Sequence, residues 1–381
     1  MQPVVSAVVT IVMLVSVTAA PAGAADTVYF AIGERHELSS AVLGRQITLL
    51  VREPEQSNAE LPAPVLYVVG SDWRGRFAHM VSTVELLESA DHIPPMLVVG
   101  VDLPDGNGVL IPGRDQGDEP GTSEWLQLLT DELFPYVDET WNAAPYRVVY
   151  GASNSGLFVL WSMFDRSDAI NAVVASSPMI GWCPGLFNEK FEEWTKADSP
   201  GERNVALVWS DDDFNRVTEY VPAFAERLER DVPDWLRWSA DKVSALGHVP
   251  PGDLALGLRR VFSDWAVPSE IRSVNEVVSH FERLERRFGF SVPVPAGPLA
   301  DLGFKAWRDE RFTDAREAFT AISTHVPNDP LGPAGLALVA HSEGRIEEAR
   351  ALALKATDMD PESDLAQRVL RRVNAAPVTE E

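Results

Sequence analysis

"VVYGASNSGLFVLW", residues 148–161, opens as a β-branched run, turns sharply through small residues and resumes as an apolar helical stretch. It comes within one residue of G-x-S-x-G, the pattern of a strand-turn-helix elbow whose serine hydroxyl stands exposed at the turn. Gly151 and Ser153 match, and Ser155 stands where the second glycine belongs. Serine is small, and Gly156 follows at once, so the elbow is expected to survive with modest strain. Ser153 is the candidate nucleophile, and Ser155 is expected to point into the strand–helix contact.

The surroundings decide whether an elbow of this kind has a sheet to stand on. "APVLYVVG" (63–70) is a continuous apolar run of the type found in parallel sheets buried on both faces. "FAHMVSTVELLESA" (77–90) then reads as helix, "PMLVVGVDLP" (95–104) as strand, "SEWLQLLTDELFPYVDETW" (123–141) as helix and "YRVVYGAS" (146–153) as strand. Downstream, "INAVVASSP", "NVALVWSDDD", "VPAFAERLERD", "LRWSADKV" and "LALGLRRVFSDW" continue the alternation. Strand–helix alternation implies an α/β domain with a mostly parallel sheet and right-handed crossovers. It is expected over residues 26–268, with an antiparallel start in "TVYFAIGERHELSSAVLGRQITLLVREP".

The C-terminal part changes character. Ala315, Phe319 and Pro327 recur 34 residues later as Ala349, Ala353 and Pro361, and Leu302-Gly303 falls at a further anchor position. That period and those anchors are the tetratricopeptide signature. Two such repeats are expected over 296–375, joined to the α/β part by a connecting helix and linker over 269–295. The competing reading is two unrelated helical hairpins. Two repeats are fewer than such arrays need to stand alone, so they are expected to lean on the α/β domain, on a protein partner or on a second copy.

Composition narrows the function classes. The 381 residues suit one large domain plus a smaller one, and 45% hydrophobic content with 11 Trp and 16 Phe supplies a core. Against 57 acidic residues stand 32 basic ones, a formal net charge of -25. Such a surface repels phosphate backbones and anionic membranes, which argues against nucleic-acid binding. Cys183 is the sole cysteine, so no intramolecular disulfide forms. Residues 1–25 carry no charged side chain and end in Ala22-Gly23-Ala24, an A-x-A cleavage pattern. They are expected to be a signal peptide that sends the chain to the periplasm or outside the cell, although no Lys or Arg marks its start. The alternative, an uncleaved anchor, is disfavoured because Val4–Val17 is shorter than the ~20 residues of a membrane span.

A serine nucleophile needs a base and an acid that orients it, and on elbows of this kind the order is Ser, Asp/Glu, His. His36, His79 and His92 precede Ser153, and His280, His325 and His341 lie beyond the α/β part. His248, in "SALGHVPPGD" between the last strand and last helix, is left as the base; the bland alternative is a packing or capping histidine. The acid is expected in "SDDD", and Asp211, Asp212 and Asp213 cannot all face one imidazole. At least one of them serves only to cap or solvate the loop. Oxyanion donors are expected from the N–H of Asn154 and from that of Ser71 or Asp72.

These pieces together resemble the putative-esterase family of α/β-hydrolases, which includes enterochelin esterases, esterase D (S-formylglutathione hydrolase) and feruloyl esterases. The matching stretches, in order over 65–265, are "VLYVVGSDW", "IPPMLVVGVD", "ELFPYVDETW", "GASNSGLF", "SSPMIGW" and "GHVPPGDLALGLRRVFSDW". A subset with a tetratricopeptide tail is similar along nearly the whole mature chain, and its acidic residue aligns with Asp212, which ranks that residue above Asp213 and Asp211. Three departures stand out: Val69 where an aspartate commonly precedes the glycine, "DGNGVLIPGRD" without the arginine-rich stretch, and Ser155. The resemblance implies an α/β-hydrolase fold and a serine hydrolase that cleaves carboxylic or thio esters of small molecules, with no metal or organic cofactor implied; the leader implies its export. Two other readings remain: a catalytically silent binding platform that docks partners through the repeats, and an acyltransferase using the same triad.

Overall fold

The computed structural model describes residues 30–54, 61–71, 75–114, 121–199 and 201–375. The expected leader lies outside them. The chain divides after Ala266 into two units, each with its own core.

In the first unit, β1 (Glu34–Ser40) and β2 (Arg45–Arg52) form an antiparallel pair, with burial alternating along β1 as a half-covered edge demands. Then follow β3 (Ala63–Val69), α1 (Arg76–Ser89), β4 (Leu97–Val101), α2 (Thr122–Gln127), α3 (Phe134–Thr140), β5 (Ala143–Ala152), α4 (Asn154–Asp165) and β6 (Ala172–Ser176). The unit continues with α5 (Pro184–Lys196), β7 (Arg203–Ser210), α6 (Asn215–Thr218), α7 (Tyr220–Asp231), β8 (Leu236–Val243) and α8 (Asp253–Val261). The sheet has 8 strands in the order β1-β2-β4-β3-β5-β6-β7-β8, parallel from β4 to β8, with β2 running antiparallel to β4. β4, β6 and β7 are buried along their whole length, around the apolar runs 97–101, 172–175 and 205–209.

Two local features depart from simple helix patterning. The single helix expected over 123–141 contains a π-helical turn, Leu128–Leu133, between α2 and α3. Pro135 has no N–H for the helical ladder that continues from this turn into α3, and the wider turn sits where that bond is missing. In α8, Gly257 presses directly on β6: a Cβ there would meet Val174 Cγ1 at 2.2 Å. This contact fixes the helix that follows the His248 loop onto the strand beside the elbow strand.

The second unit is all helical: α9 (Val274–Phe288), α10 (Ala296–Arg308), α11 (Phe312–His325), α12 (Leu331–Ser342), α13 (Ile346–Met359) and α14 (Asp364–Asn374). Ser273 and Glu276 form a reciprocal capping box at the start of α9. α11 and α13 begin 34 residues apart, and the repeat positions Ala315, Phe319, Ala349 and Ala353 are each 0% exposed. The Phe319 ring fills the space left by two glycines; a Cβ at Gly303 or Gly335 would approach it to 2.7 or 2.1 Å. Among the described residues no helix is long and apolar enough to cross a membrane.

Candidate active site

The carboxyl ends of parallel strands are where α/β sheets bind ligands, and the sequence candidates gather there. Ser153 sits between the last residue of β5 and the first of α4 with φ 60° and ψ -121°. A non-glycine residue in that region costs of order 1–3 kcal/mol and must be held by its surroundings. Three backbone hydrogen bonds hold it: its N–H donates to Ser176 O (2.9 Å), and its carbonyl accepts from Leu157 N (3.1 Å) and Met179 N (3.2 Å). The side chain stays half-buried at the turn.

Ser155 is 1% exposed and turned into the fold, lying 3.6 Å from where a Cβ on Gly70 would be. The elbow's close approaches fall on its neighbours instead. A Cβ on Gly151 would meet Ser155 O at 2.2 Å, and one on Gly156 would meet Ser176 O at 2.9 Å. Gly156 thus supplies the close packing that the missing second glycine would have given.

His248 Nδ1 lies 2.6 Å from Asp213 Oδ1, and the Asp213 carboxylate is completely covered. Asp212, the residue ranked first from sequence, does not face the imidazole. Its Oδ1 accepts from Ser210 Oγ and from Gly247 N (2.9 Å), while Asp211 Oδ1 accepts from Ala245 N (3.0 Å). The reason is the turn after β7. Asp211 N still pairs with Val243 O in strand fashion, and Asp213 N folds back to Ser210 O. The first two carboxylates therefore meet backbone N–H groups early in the loop after β8, while the third lies between His248, later in that loop, and Ser177 at the end of β6. Those hydrogen bonds hold the Asp211 and Asp212 carboxyls below the usual aspartate range; the leading causes are the Ala245 N–H for Asp211 and the Ser210 hydroxyl for Asp212.

Ser177, absent from the sequence candidates, joins both arms of this arrangement. Its Oγ donates to Asp213 Oδ2 at 2.5 Å and accepts from Val249 N at 3.0 Å. Ser177 and Val249 both have positive φ, 43° and 58°, and a β-branched residue there is strained. Ser177 N in turn donates to Val208 O (2.7 Å), and its predecessor Ser176 accepts the Ser153 N–H. Two serines at the carboxyl end of the strand next to the elbow were the available sequence signal. A second tie lies beneath: Tyr150 Oη donates to Asp253 Oδ2 at 2.8 Å, both groups buried. Burial, reinforced by the Asp253 charge, pushes the Tyr150 phenol far above its usual range, so it stays a donor.

As the first residue of α4, Asn154 has an N–H with no intrahelical acceptor. Ser71 does not offer the second oxyanion donor: its N–H is committed to Val101 O (3.1 Å) and its hydroxyl to Asp102 Oδ1 (2.9 Å). Asp72 lies outside the described residues. The Asn154 side chain faces Asn107 Oδ1 (3.3 Å) through Nδ2 and accepts the Trp182 indole N–H (2.9 Å) through Oδ1. The Phe214 ring lies 4.7 Å from the His248 ring, and Trp182 and Phe214 are both exposed. Among the described residues no group of three or more His, Cys, Asp or Glu side chains is arranged to hold a metal ion.

Residues 40–212 match the family model "Putative esterase". No curated protein matches the chain. An IroE-like serine hydrolase from Shewanella oneidensis superposes with a TM-score of 0.62 at 19% identity, covering 74% of this chain and 96% of its own. An uncharacterised protein from Capnocytophaga ochracea gives 0.63 at 14% identity, covering 90% and 99%, a span that reaches into the helical unit. The BES protein from Bacillus cereus gives 0.55 at 20%, covering 64% and 99%. At these identities the superpositions establish an α/β-hydrolase-like fold, and together with the match of residues 40–212 to the putative esterase model they support an ester-hydrolysing enzyme.

Proposed function

We infer that the protein hydrolyses small carboxylic esters through an acyl-enzyme on Ser153, with His248 as base and Asp213 as its orienting acid. The observation that carries this reading is the Ser153 turn, strained and clamped, bonded to Ser176 while the adjacent Ser177 bonds to Asp213, which holds His248. An ionised Asp213 fixes Nδ1 as the protonated nitrogen and leaves Nε2 to take the serine proton. Ser153 Oγ bonds to the acyl carbon, and the Asn154 N–H stabilises the oxyanion. His248 then protonates the departing alcohol, and a water deprotonated by the same nitrogen releases the acid. Thioesters meet the same requirements.

Export is part of the proposal, supported by the charge-free leader ending in A-x-A. The helical unit is proposed to be a pair of tetratricopeptide repeats, supported by the 34-residue offset of α11 and α13.

The test is labelling of the mature protein by a fluorophosphonate probe together with turnover of 4-nitrophenyl esters. Both should occur in the wild type and vanish in Ser153→Ala. A folded wild type that neither labels nor turns over would leave a binding platform instead.

A further inference from the structure

We propose that Arg216 recognises a substrate carboxylate, so that the site selects esters bearing an anionic group near the scissile bond. This rests on the ester-hydrolase reading above and adds its specificity.

The Arg216 guanidinium carbon lies 4.0 Å from the centroid of the Trp182 ring. Trp182 donates its indole N–H to Asn154, the residue after Ser153, at 2.9 Å. From the other direction, Arg216 follows Asp213 by three residues and Phe214 by two, and the Phe214 ring rests against His248. The cation is thus anchored both to the nucleophile's turn and to the loop carrying the acid. The contact is close-built: a Cβ on Gly181, beside Trp182, would meet Arg216 Cα at 2.8 Å.

Among the described residues no carboxylate neutralises it. The chain carries 57 acidic residues against 32 basic ones, and Arg52, Arg147 and Arg260 each hold a carboxylate. Among the described residues none pairs with Arg216, although it is exposed on an acidic surface. Stacking occupies the flat face of a guanidinium and leaves its N–H edge for a planar, two-oxygen acceptor. It also orders a long side chain in advance, which lowers the entropy cost of binding. The indole face is covered by the cation, so this spot suits a carboxylate better than an aromatic ring.

The experiment compares matched ester pairs on wild type, Arg216→Gln and Arg216→Lys. 4-Nitrophenyl glutarate against 4-nitrophenyl pentanoate places the charge on the acyl side. 4-Carboxyphenyl acetate against 4-(methoxycarbonyl)phenyl acetate places it on the alcohol side. In Arg216→Gln, kcat/KM for at least one anionic ester should fall about ten- to a hundredfold, mainly through KM, as loss of a charged hydrogen-bond partner implies. The neutral esters should stay within about twofold, and Arg216→Lys should keep part of the preference. Equal losses on charged and neutral esters, or no loss, would overturn the proposal while hydrolysis itself stood. If the wild type turned over no ester, calorimetric binding of 4-nitrophenyl glutarate to Ser153→Ala, with and without Arg216→Gln, decides. Weaker binding with the second substitution supports the proposal, and equal or absent binding overturns it.

Discussion

Ser177 Oγ donates to Asp213 Oδ2 at 2.5 Å and accepts the Val249 N–H at 3.0 Å, so one hydroxyl serves both the proposed acid and the loop that carries the proposed base. Ser177→Ala strips a buried carboxylate of a donor and a strained residue of its acceptor. Leaving buried polar groups unpaired costs about 1–3 kcal/mol. The expected outcome is a lower Tm together with a kcat reduced about tenfold, because His248 loses a fixed acid. Thermal melts and ester kinetics on the same preparation check both.

The three aspartates should separate by role. Asp213→Asn should lower kcat by up to ~10⁴-fold, the cost of a wrongly oriented base in a serine protease. Asp212→Asn and Asp211→Asn weaken hydrogen bonds from the Ser210 hydroxyl and the Gly247 and Ala245 N–H groups but leave the His248 partner in place, so their kcat losses should be far smaller. A larger loss in Asp212→Asn than in Asp213→Asn would reassign the acid.

Acid stability should report the first two carboxylates. Their pKa values are depressed in the folded chain, so the stabilisation is complete above the ordinary aspartate pKa of about 4 and disappears as pH falls through the lower folded values. The Tm gap between wild type and the Asp211→Asn/Asp212→Asn variant should be constant at neutral and mildly acid pH. It should close below pH of about 4. A gap unchanged at still lower pH would mean the carboxylates act otherwise.

Ser155 tests the elbow's packing. Ser155→Gly should keep activity, since the hydroxyl is buried away from the turn. Ser155→Val overpacks the contact at about 1–3 kcal/mol, and Gly156→Ala should do at least as much damage because its Cβ would sit 2.9 Å from Ser176 O. Circular-dichroism melts give the order.

The sheet was legible because its strands lie buried on both faces, and burial writes itself as unbroken apolar runs such as Val65–Val69 and Val205–Trp209. Ser153 and His248 could be singled out as candidates because few residues of the right type occupy loops at strand ends. The choice among the three aspartates had no such guide. Which of three identical neighbours faces the imidazole depends on how the turn after β7 folds back, with Asp211 N on Val243 O and Asp213 N on Ser210 O, and a run of like residues carries no trace of it. Ser71 misled for a similar reason: its position in the turn was readable, but the direction of its N–H toward Val101 was not. Ser177 escaped because its work is done through a long-range contact with residue 213, distant in sequence.

The buried Tyr150–Asp253 hydrogen bond links the strand that ends at Ser153 to the first turn of α8, just beyond the His248 loop. Neither group can be solvated without opening the core between them, so the proposed nucleophile and base share one cooperative unit. Heat inactivation should therefore trace the same curve as loss of near-ultraviolet circular dichroism from the α/β unit, with no inactive but still packed species in between. Tyr150→Phe, which strands a buried carboxylate, should shift both curves together.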